Sequence, residues 1–335
     1  MSLQVVYPGW LRQRLLTGMV VMQMMSFSSA SRPASQPLCS ERSPASYILV
    51  FSGLWSPQTF PKQYPLFRPP AQWSKLVAVT HNAQYRMWQQ GALASSGVAV
   101  LAEQGLTAPV LKEAKGMRQG GGRSVGGLYR TPGISSGVGH SSTTMLLQPR
   151  TPLLSLLVKI VPSPDWFVGV DSLDLCEGGQ WKQEVTLDLH PYDAGTDSGF
   201  TFSSPNFPSN PLENITQITA QSPSHPANSF FYPRLQELPP LASVRLTRHS
   251  SAPGRRPGLS NHIRPHPELG LPHYSETPLD CEVSLWSSWG LCQGYCGSEG
   301  GQKSRTRYIL LPPANTGAPC PELEEQSVCS PDNCL

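Results

Sequence analysis

Six aspartates lie close together in the middle of the chain, and they are the residues best suited to chemistry. They are Asp165, Asp171, Asp174, Asp188, Asp193 and Asp197. Asp165 directly follows Pro164, and some of the others should also lie on loops that a β-sandwich would bring to one edge. Carboxylate oxygens on loops at one end of a β domain are the ligands that calcium prefers. The alternative is that these aspartates only cap turns, as aspartate often does.

An enzyme is the competing interpretation of the same aspartates. A carboxylate hydrolase would need two carboxylates facing each other in a concave pocket, whereas a metal site needs only an exposed loop end. The sequence has no His-Glu-x-x-His motif and no phosphate-binding loop. His190 and His225 are isolated in the sequence, which is typical of loop or packing histidines. The sequence therefore favours a binding protein over an enzyme.

The elements that position Asp165 form a strand, a rigid corner and a second strand. An apolar run from 153 to 161 predicts the first strand, and another from 167 to 175 predicts the second. Pro162 and Pro164 restrict the backbone between them. Asp165 and Trp166 should therefore lie on or just past the tip of a fixed acidic corner.

Composition indicates a loop-rich β domain with a second, smaller unit. The chain has 335 residues with 35 prolines and 29 glycines, too many for one helical domain. The formal net charge is only +3, which gives no reason to expect nucleic acid as a partner. Further strands are expected at 47–55, 181–189, 199–202, 212–220 and 242–246, with short helices at 98–103 and 109–115. Repeated short strands bounded by turn residues predict an antiparallel β-sandwich.

Two glycine-rich and serine-rich stretches interrupt this pattern. Residues 120–127 and 133–142 have the composition of flexible segments, so we expect a flexible insertion between structured parts. The wider region 92–150 is expected to be divergent and partly flexible.

The eight cysteines predict disulfide bonds and therefore an oxidising compartment. Two are far apart, Cys39 and Cys176, and the other six crowd the C-terminus: Cys281, Cys292, Cys296, Cys320, Cys329 and Cys334. A zinc site is the alternative, but only Cys292 and Cys296 form a short pair. Six cysteines allow fifteen connectivities, so spacing alone does not give the pairing.

The N-terminus predicts secretion. Arg12 and Arg14 precede an apolar run from Leu15 to Met25, and the small residues Ser28, Ser29 and Ala30 follow. This order is typical of a signal peptide over residues 1–30. A disordered leader is the alternative, because Gln23 interrupts the run. The run is too short to span a membrane, so we expect a mature protein in the extracellular space.

Residues 249–276 have the composition of a basic, proline-rich linker. Arg255 and Arg256 are candidates for binding a glycosaminoglycan such as heparan sulfate, although basic linkers are often merely solvated.

The terminal module at 277–335 has paired Trp286 and Trp289, then paired Arg305 and Arg307. Such spacing puts indoles and guanidiniums on adjacent strands, where cation–π stacking replaces a core that so small a unit cannot build.

Two stretches resemble the spondin family, whose members combine an F-spondin domain with thrombospondin type 1 repeats. They are residues 161–176, with Pro164-Asp165-Trp166, and residues 187–207, with Pro191-Tyr192-Asp193. The resemblance implies a C2-like β-sandwich over 37–248 and a calcium ion held by Asp165 and Asp193. A third acidic ligand of the family would align near Leu146, which cannot coordinate. Cys39 and Cys176, the only cysteines of this domain, would join its first strand region to the signature.

The terminal module resembles one small, disulfide-rich thrombospondin type 1 repeat. That resemblance implies three disulfides, Cys281–Cys320, Cys292–Cys329 and Cys296–Cys334, and a C-mannosyl group on Trp286. Asn214-Ile215-Thr216 is a sequon for N-linked glycosylation.

As a whole, the resemblance implies a secreted matrix protein that mediates cell adhesion. Its partners would be integrins and microbial surface carbohydrate such as lipopolysaccharide, with a role in innate immunity. The alternative function is a matrix modulator that binds glycosaminoglycan or growth factors through the linker and the Trp/Arg face.

Overall fold

The computed structural model describes residues 39–40, 42–67, 69–119, 123–249, 276–293 and 300–329. The predicted signal peptide and the linker arginines Arg255 and Arg256 lie outside these ranges. In chain order, the elements of the first domain are β1 Ala45–Leu54, β2 Gln72–Trp73, β3 Val77–His81, α1 Ser96–Gln104, α2 Ala108–Gln119, β4 Val125–Arg130, β5 Val138–Leu147, β6 Leu153–Val161, β7 Trp166–Asp174, β8 Cys176–Glu177, β9 Gln180–Trp181, β10 Glu184–Leu189, β11 Pro191–Asp193, β12 Thr216–Gln217 and β13 Ala242–His249. The C-terminal module has β14 Glu282–Val283, β15 Gly301–Thr306, β16 Ile309–Leu311 and β17 Glu324–Cys329.

Two antiparallel sheets form the first domain. One has the strand order β10-β13-β1-β5, and the other has the order β12-β11-β7-β6-β3-β4, with β2 paired to β6. Side chains from both sheets share one core, in which Trp55, Trp166, Phe202 and Phe230 are fully buried. The predicted mainly β, antiparallel sandwich is confirmed.

The larger sheet is covered on its other face as well. Val98 and Leu101 of α1 and Val110 of α2 pack there against Val79 and Leu157 of the sheet. Burial on both faces explains why β6 is apolar along nearly its whole length. None of the described helices is long and apolar enough to cross a membrane.

The expectation of a flexible insertion at 120–142 is wrong for its described residues. β4 extends the larger sheet beside β3, and β5 pairs with all of β1. The glycines here serve close packing. A Cβ on Gly137 would lie 2.2 Å from the Trp55 carbonyl oxygen, and one on Gly126 would lie 2.3 Å from Thr151 Oγ1. Only glycine fits where the backbone comes so close to neighbouring atoms, so the glycine content of this segment reflects close packing and not flexibility.

Two other details differ from the sequence predictions. Residues 199–202 form a loop and no strand, because Phe202 turns into the core while Asp197 accepts a hydrogen bond from the Gly199 amide at 2.8 Å. The segment 77–81, where no strand was predicted, is β3, and all five of its residues are buried.

The C-terminal module packs onto the sandwich through its first residues. Leu279 is 6% exposed and belongs to the sandwich core. Nζ of the buried Lys62 lies 3.1 Å from Glu282 Oε1 on β14. Asn315 Nδ2 donates to the Gln58 carbonyl at 2.9 Å, and the Thr277 amide donates to the same carbonyl at 3.1 Å. The described parts of both modules thus form one compact unit.

Candidate metal site and binding surfaces

Asp165 and Asp193 are brought together by the pairing of β7 with β11. Asp165 ends the corner between β6 and β7, and Asp193 is the cross-strand partner of Trp166, the next residue. The two carboxylates therefore lie at one end of the larger sheet, side by side. This is the arrangement that the strand-corner-strand pattern predicted for Asp165.

The Asp165 carboxylate is completely buried and only half satisfied. Its Oδ2 accepts hydrogen bonds from the Thr196 amide at 2.7 Å, from Thr196 Oγ1 at 3.2 Å and from the Asp197 amide at 3.0 Å. Its Oδ1 has no hydrogen-bond partner among the described residues. Burial raises the pKa of Asp165, although the bonds from Thr196 and Asp197 oppose that shift.

The Asp193 carboxylate is held from two directions. Its Oδ1 accepts from the Gly195 amide at 2.7 Å, and its Oδ2 accepts from Trp166 Nε1 at 3.2 Å. Burial, and next the charge of Asp165, raise the pKa of Asp193 to about 7. The buried Asp165 and the partly buried Asp193 thus repel each other, and a cation placed between them would remove that cost.

Lys159 is a charged neighbour of the aspartate pair that the sequence analysis missed. Its buried Nζ donates to the carbonyls of Ala102 at 2.6 Å, Ser163 at 2.9 Å and Pro164 at 3.1 Å. Burial lowers the pKa of Lys159 to about 8, while the nearby charges of Asp165, Asp197 and Glu103 oppose the shift. A single charged residue in a largely apolar strand was the signal, because a buried charge requires partners.

The remaining aspartates of the sequence cluster have other tasks. Asp197 accepts from the Gly199 and Phe207 amides and so braces the loop over Asp165. Asp171 lies 3.6 Å from Arg86, and Asp174 accepts from the Cys176 amide at 2.8 Å. Asp188 is exposed on β10 in the other sheet. None of these four aspartates is part of the pair.

Leu146 does not lie beside the aspartate pair. It is on β5, opposite Ser46, and its backbone exchanges hydrogen bonds with the Tyr129 hydroxyl of β4. β4 is three strands away from β7, about 14 Å across the sheet. The expectation that Leu146 removes a ligand from this pair is therefore corrected.

The pair Asp165 and Asp193 suits a hard cation, although the two side chains supply few of its ligands. In the described ranges, no group of three or more His, Cys, Asp or Glu side chains could hold a metal ion. Asp165 Oδ1 nevertheless has no hydrogen-bond partner among the described residues, and burial raises the pKa of both carboxylates although the charge of Lys159 lies near Asp165. Calcium accepts backbone carbonyls and water as its other ligands, so two carboxylates can begin a site.

A serine and a histidine do meet in the structure, but as part of the core. His81 Nε2 lies 2.8 Å from Ser155 Oγ, and both residues are 0% exposed. The Ser155 hydroxyl accepts from the Ser172 amide, which leaves its proton for His81 Nε2, while His81 Nδ1 faces the Asn82 carbonyl. This enclosed pair has no orienting carboxylate and no access for substrate, unlike a catalytic triad.

Ser124 lies in a Gly-x-Ser-x-Gly sequence, a motif of α/β-hydrolases that the sequence analysis overlooked. Residues 122–126 read Gly-Arg-Ser-Val-Gly. The nucleophile of an α/β-hydrolase sits on a turn from a strand into a helix. Ser124 instead lies between α2 and β4, a connection from helix to strand, and it is 3% exposed. Its motif is therefore coincidental.

The Trp/Arg face of the C-terminal module forms a stacked ladder. Arg305 lies 4.9 Å from the Trp286 ring centroid and 4.6 Å from that of Trp289, and Arg307 lies 4.2 Å from that of Trp286. Lys303 extends the ladder at 5.2 Å from Trp289. Glu325 accepts a hydrogen bond from Arg305 Nε at 2.7 Å and so neutralises the charge of that arginine.

Three disulfides are present in the described residues. They are Cys39–Cys176, Cys281–Cys320 and Cys292–Cys329, with Cα separations of 5.7, 4.9 and 5.9 Å. All three are pairs that the sequence analysis expected. Cys296–Cys334, the fourth pair, lies outside the described residues. Asn214 of the glycosylation sequon is exposed, and Trp286 is half-buried.

Comparison with protein families decides the relationship. The family model Spondin_N matches residues 45–240, more than half of the chain, and a spondin-like TSP1 domain matches residues 281–334. The chain belongs to the spondin family. This spondin is 52% identical over 321 residues to Spondin-2 of Rattus norvegicus, covering 94% of this chain and 96% of that protein. The resemblance seen in the sequence is confirmed.

Two further relatives are similar to this spondin over most of its length. Spondin-2 of Homo sapiens is 50% identical over 320 residues, which cover 93% of this spondin and 95% of the human protein. Spondin-1 of Rattus norvegicus is 32% identical over 298 residues, which cover 87% of this spondin but only 36% of that longer protein. Like the Spondin-2 proteins, this spondin is a secreted protein of the extracellular matrix, and its disulfides agree with that location.

Proposed function

We propose that this spondin is an adhesion protein that binds and does not catalyse, with a calcium ion held by Asp165 and Asp193. Its partners would be integrins and microbial surface carbohydrate such as lipopolysaccharide, which would make it an opsonin of innate immunity. The single observation that supports the site most strongly is the buried, unpartnered Oδ1 of Asp165, because such a group requires a partner that the described residues lack.

A calcium ion at this place would leave coordination positions open. Calcium takes six to eight oxygen ligands, and Asp165 and Asp193 supply only some of them. Hydroxyls of a sugar or a carboxylate of a receptor could fill the remainder. The sequence contains no Arg-Gly-Asp tripeptide, so an integrin contact would use this acidic loop end instead.

The experiment is an adhesion assay on the full chain. Integrin-bearing cells and lipopolysaccharide-coated plates should both retain the protein in calcium and release it in a chelator. Asp193→Asn should give the same loss without chelator, whereas Asp188→Asn, at an exposed position in the other sheet, should not. Adhesion that is unaffected by Asp193→Asn would refute this use of the site.

The second candidate function is binding of glycosaminoglycan or growth factors by the linker and the Trp/Arg face. The observation in its favour is the row of Lys303, Arg305 and Arg307 on one face of the module. If it holds, Arg255→Gln/Arg256→Gln should reduce the salt concentration needed to elute the protein from heparin.

Two modifications complete the proposal. An N-linked glycan at Asn214 and a C-mannosyl group at Trp286 are both compatible with the exposure of these residues. Mass spectrometry of the secreted protein would detect each modification, and Asn214→Gln and Trp286→Phe would remove the corresponding mass.

A further inference from the structure

The helix α2 has an exposed face that carries only positive charge. Lys112, Lys115 and Arg118 follow one another at intervals of three residues, and all three are exposed. Each step of three residues turns the helix by about 300° and advances it by about 4.5 Å. The three cations therefore lie within an arc of about 120°, along about 9 Å of the helix.

Packing holds this face toward the solvent. Val110 and Ala114, each about 160° around the helix from Lys112, are 1% and 0% exposed and belong to the cluster that covers the larger sheet. Leu111 packs against the same cluster. Because the apolar side is fixed against the sheet, α2 cannot rotate to bring its cations into contact with the protein.

The acid on α2 does not compensate these charges. Glu113 points to the start of α1, where Oε1 accepts from the Gly97 amide at 2.6 Å and from Ser96 Oγ at 2.9 Å. Its Oε2 accepts from Ser95 Oγ at 2.7 Å. The carboxylate is thus occupied by the helix N-terminus, where negative charge is stabilising. No described residue forms an ion pair with Lys112, Lys115 or Arg118.

We propose that this face of α2 binds a sulfated polysaccharide. A linear polyanion can place successive sulfate groups against a row of cations on one helix face, and both lysine and arginine are suited to such contacts. A membrane surface is less suitable, because an interfacial helix inserts a broad apolar face, and Met117 is the one large apolar side chain that α2 exposes. The site is independent of the linker, of the Trp/Arg face and of the aspartate pair.

The test is heparin affinity of the full-length protein, measured by column elution and by calorimetry with a heparin oligosaccharide. Lys115→Gln/Arg118→Gln removes two charges and keeps good helix formers. Arg42→Gln/Arg150→Gln removes two equally exposed charges elsewhere and is the matched control. We expect the α2 variant to lose about fivefold in affinity per charge, as for cations at anionic surfaces, and to elute at lower salt, while the control remains near wild type.

Other outcomes would overturn the proposal. Equal losses in the α2 variant and the control would show only a general charge effect. A loss confined to Arg255→Gln/Arg256→Gln would favour the linker instead. Binding to phosphatidylserine vesicles that depends on α2, without binding to heparin, would assign the face to lipid. Since no variant here touches Asp165 or Asp193, failure of this proposal leaves the calcium titration unaffected.

Discussion

Trp166 and Asp193 are joined twice, as cross-strand partners of β7 and β11 and by a hydrogen bond from the indole Nε1 to the carboxylate Oδ2 at 3.2 Å. The indole is 1% exposed and packs against Phe202 and Phe230, with ring centroids 5.6 and 5.2 Å away. The sandwich core therefore fixes the orientation of one carboxylate of the candidate metal site.

Replacing Trp166 by phenylalanine should weaken calcium binding without removing it. The substitution keeps an aromatic ring in the core but loses the bond to Asp193, and loss of such a supporting contact typically costs tenfold or more in metal affinity. Calorimetry with calcium measures the effect. Trp73→Phe is the control, since it loses a similar buried bond, to the Gly137 carbonyl, away from the aspartates. Equal affinities in wild type and Trp166→Phe would contradict this role.

Calcium affinity should depend on pH near neutrality. Burial and the Asp165 charge raise the pKa of Asp193 to about 7, and calcium binds the ionised form. Affinity should therefore fall about tenfold per pH unit below pH 7 and level off above it. In the absence of calcium, a rise in pH should have the opposite effect, on the stability of the fold. The folded protein holds the proton more tightly than the unfolded chain, so its stability should decrease as the pH rises from about 4 to about 7. Calcium titrations and urea unfolding at several pH values test both signs.

The His81–Ser155 pair should contribute to acid sensitivity. Burial lowers the pKa of His81 below 6.5, with Asp171 and Arg86 as the charged groups that act on it and Tyr85 packed on its ring. The unfolded chain then binds a proton more readily, so stability is retained above pH 6.5 and is lost as the pH falls through the lower, folded-state pKa. His81→Gln should reduce the difference between urea midpoints at pH 7.5 and pH 5. An unchanged difference would show that other groups dominate.

The ion pair between the buried Lys62 and the partly exposed Glu282 should hold the C-terminal module on the sandwich. Lys62 is 1% exposed and donates to the Pro226 carbonyl as well, so Glu282→Gln leaves a charge in the core without its counterion. We expect a loss of about 1–3 kcal/mol in the free energy of unfolding. Arg234→Gln breaks a solvent-exposed pair across the same boundary, with Asp280, and should cost less than about 1 kcal/mol. Similar losses in the two variants would argue against a special role for Lys62.

Local patterns predicted much of the fold. The apolar run at 153–161 is β6 with the same bounds, and helices form at both predicted positions. The prediction failed where composition misrepresents packing. The glycine-rich composition around β5 predicted a flexible segment. Glycine is instead required at position 137 because the Trp55 carbonyl approaches closely. A long-range contact of this kind leaves no local pattern in the sequence.

The candidate site was only partly visible in the sequence. Asp165 and Asp193 were chosen correctly as neighbours, since the family motifs contain both. Thr196 was missed because its role depends on a loop folding back over the corner, whereas Lys159 was missed although a lysine in a largely apolar strand indicates a buried charge. The position of Leu146 was wrong because β5, the strand that carries it, belongs to the other sheet.

Calorimetric titration of the full-length protein with calcium tests the central claim most directly. We expect one saturable site in the wild type, its loss in both Asp165→Asn and Asp193→Asn, and its retention in Asp188→Asn. Because the pKa values of Asp165 and Asp193 are raised, removing either charge should leave the metal-free fold at least as stable, which separates loss of binding from unfolding. Wild-type protein without a saturable site, or calcium binding that survives both substitutions, would contradict the account.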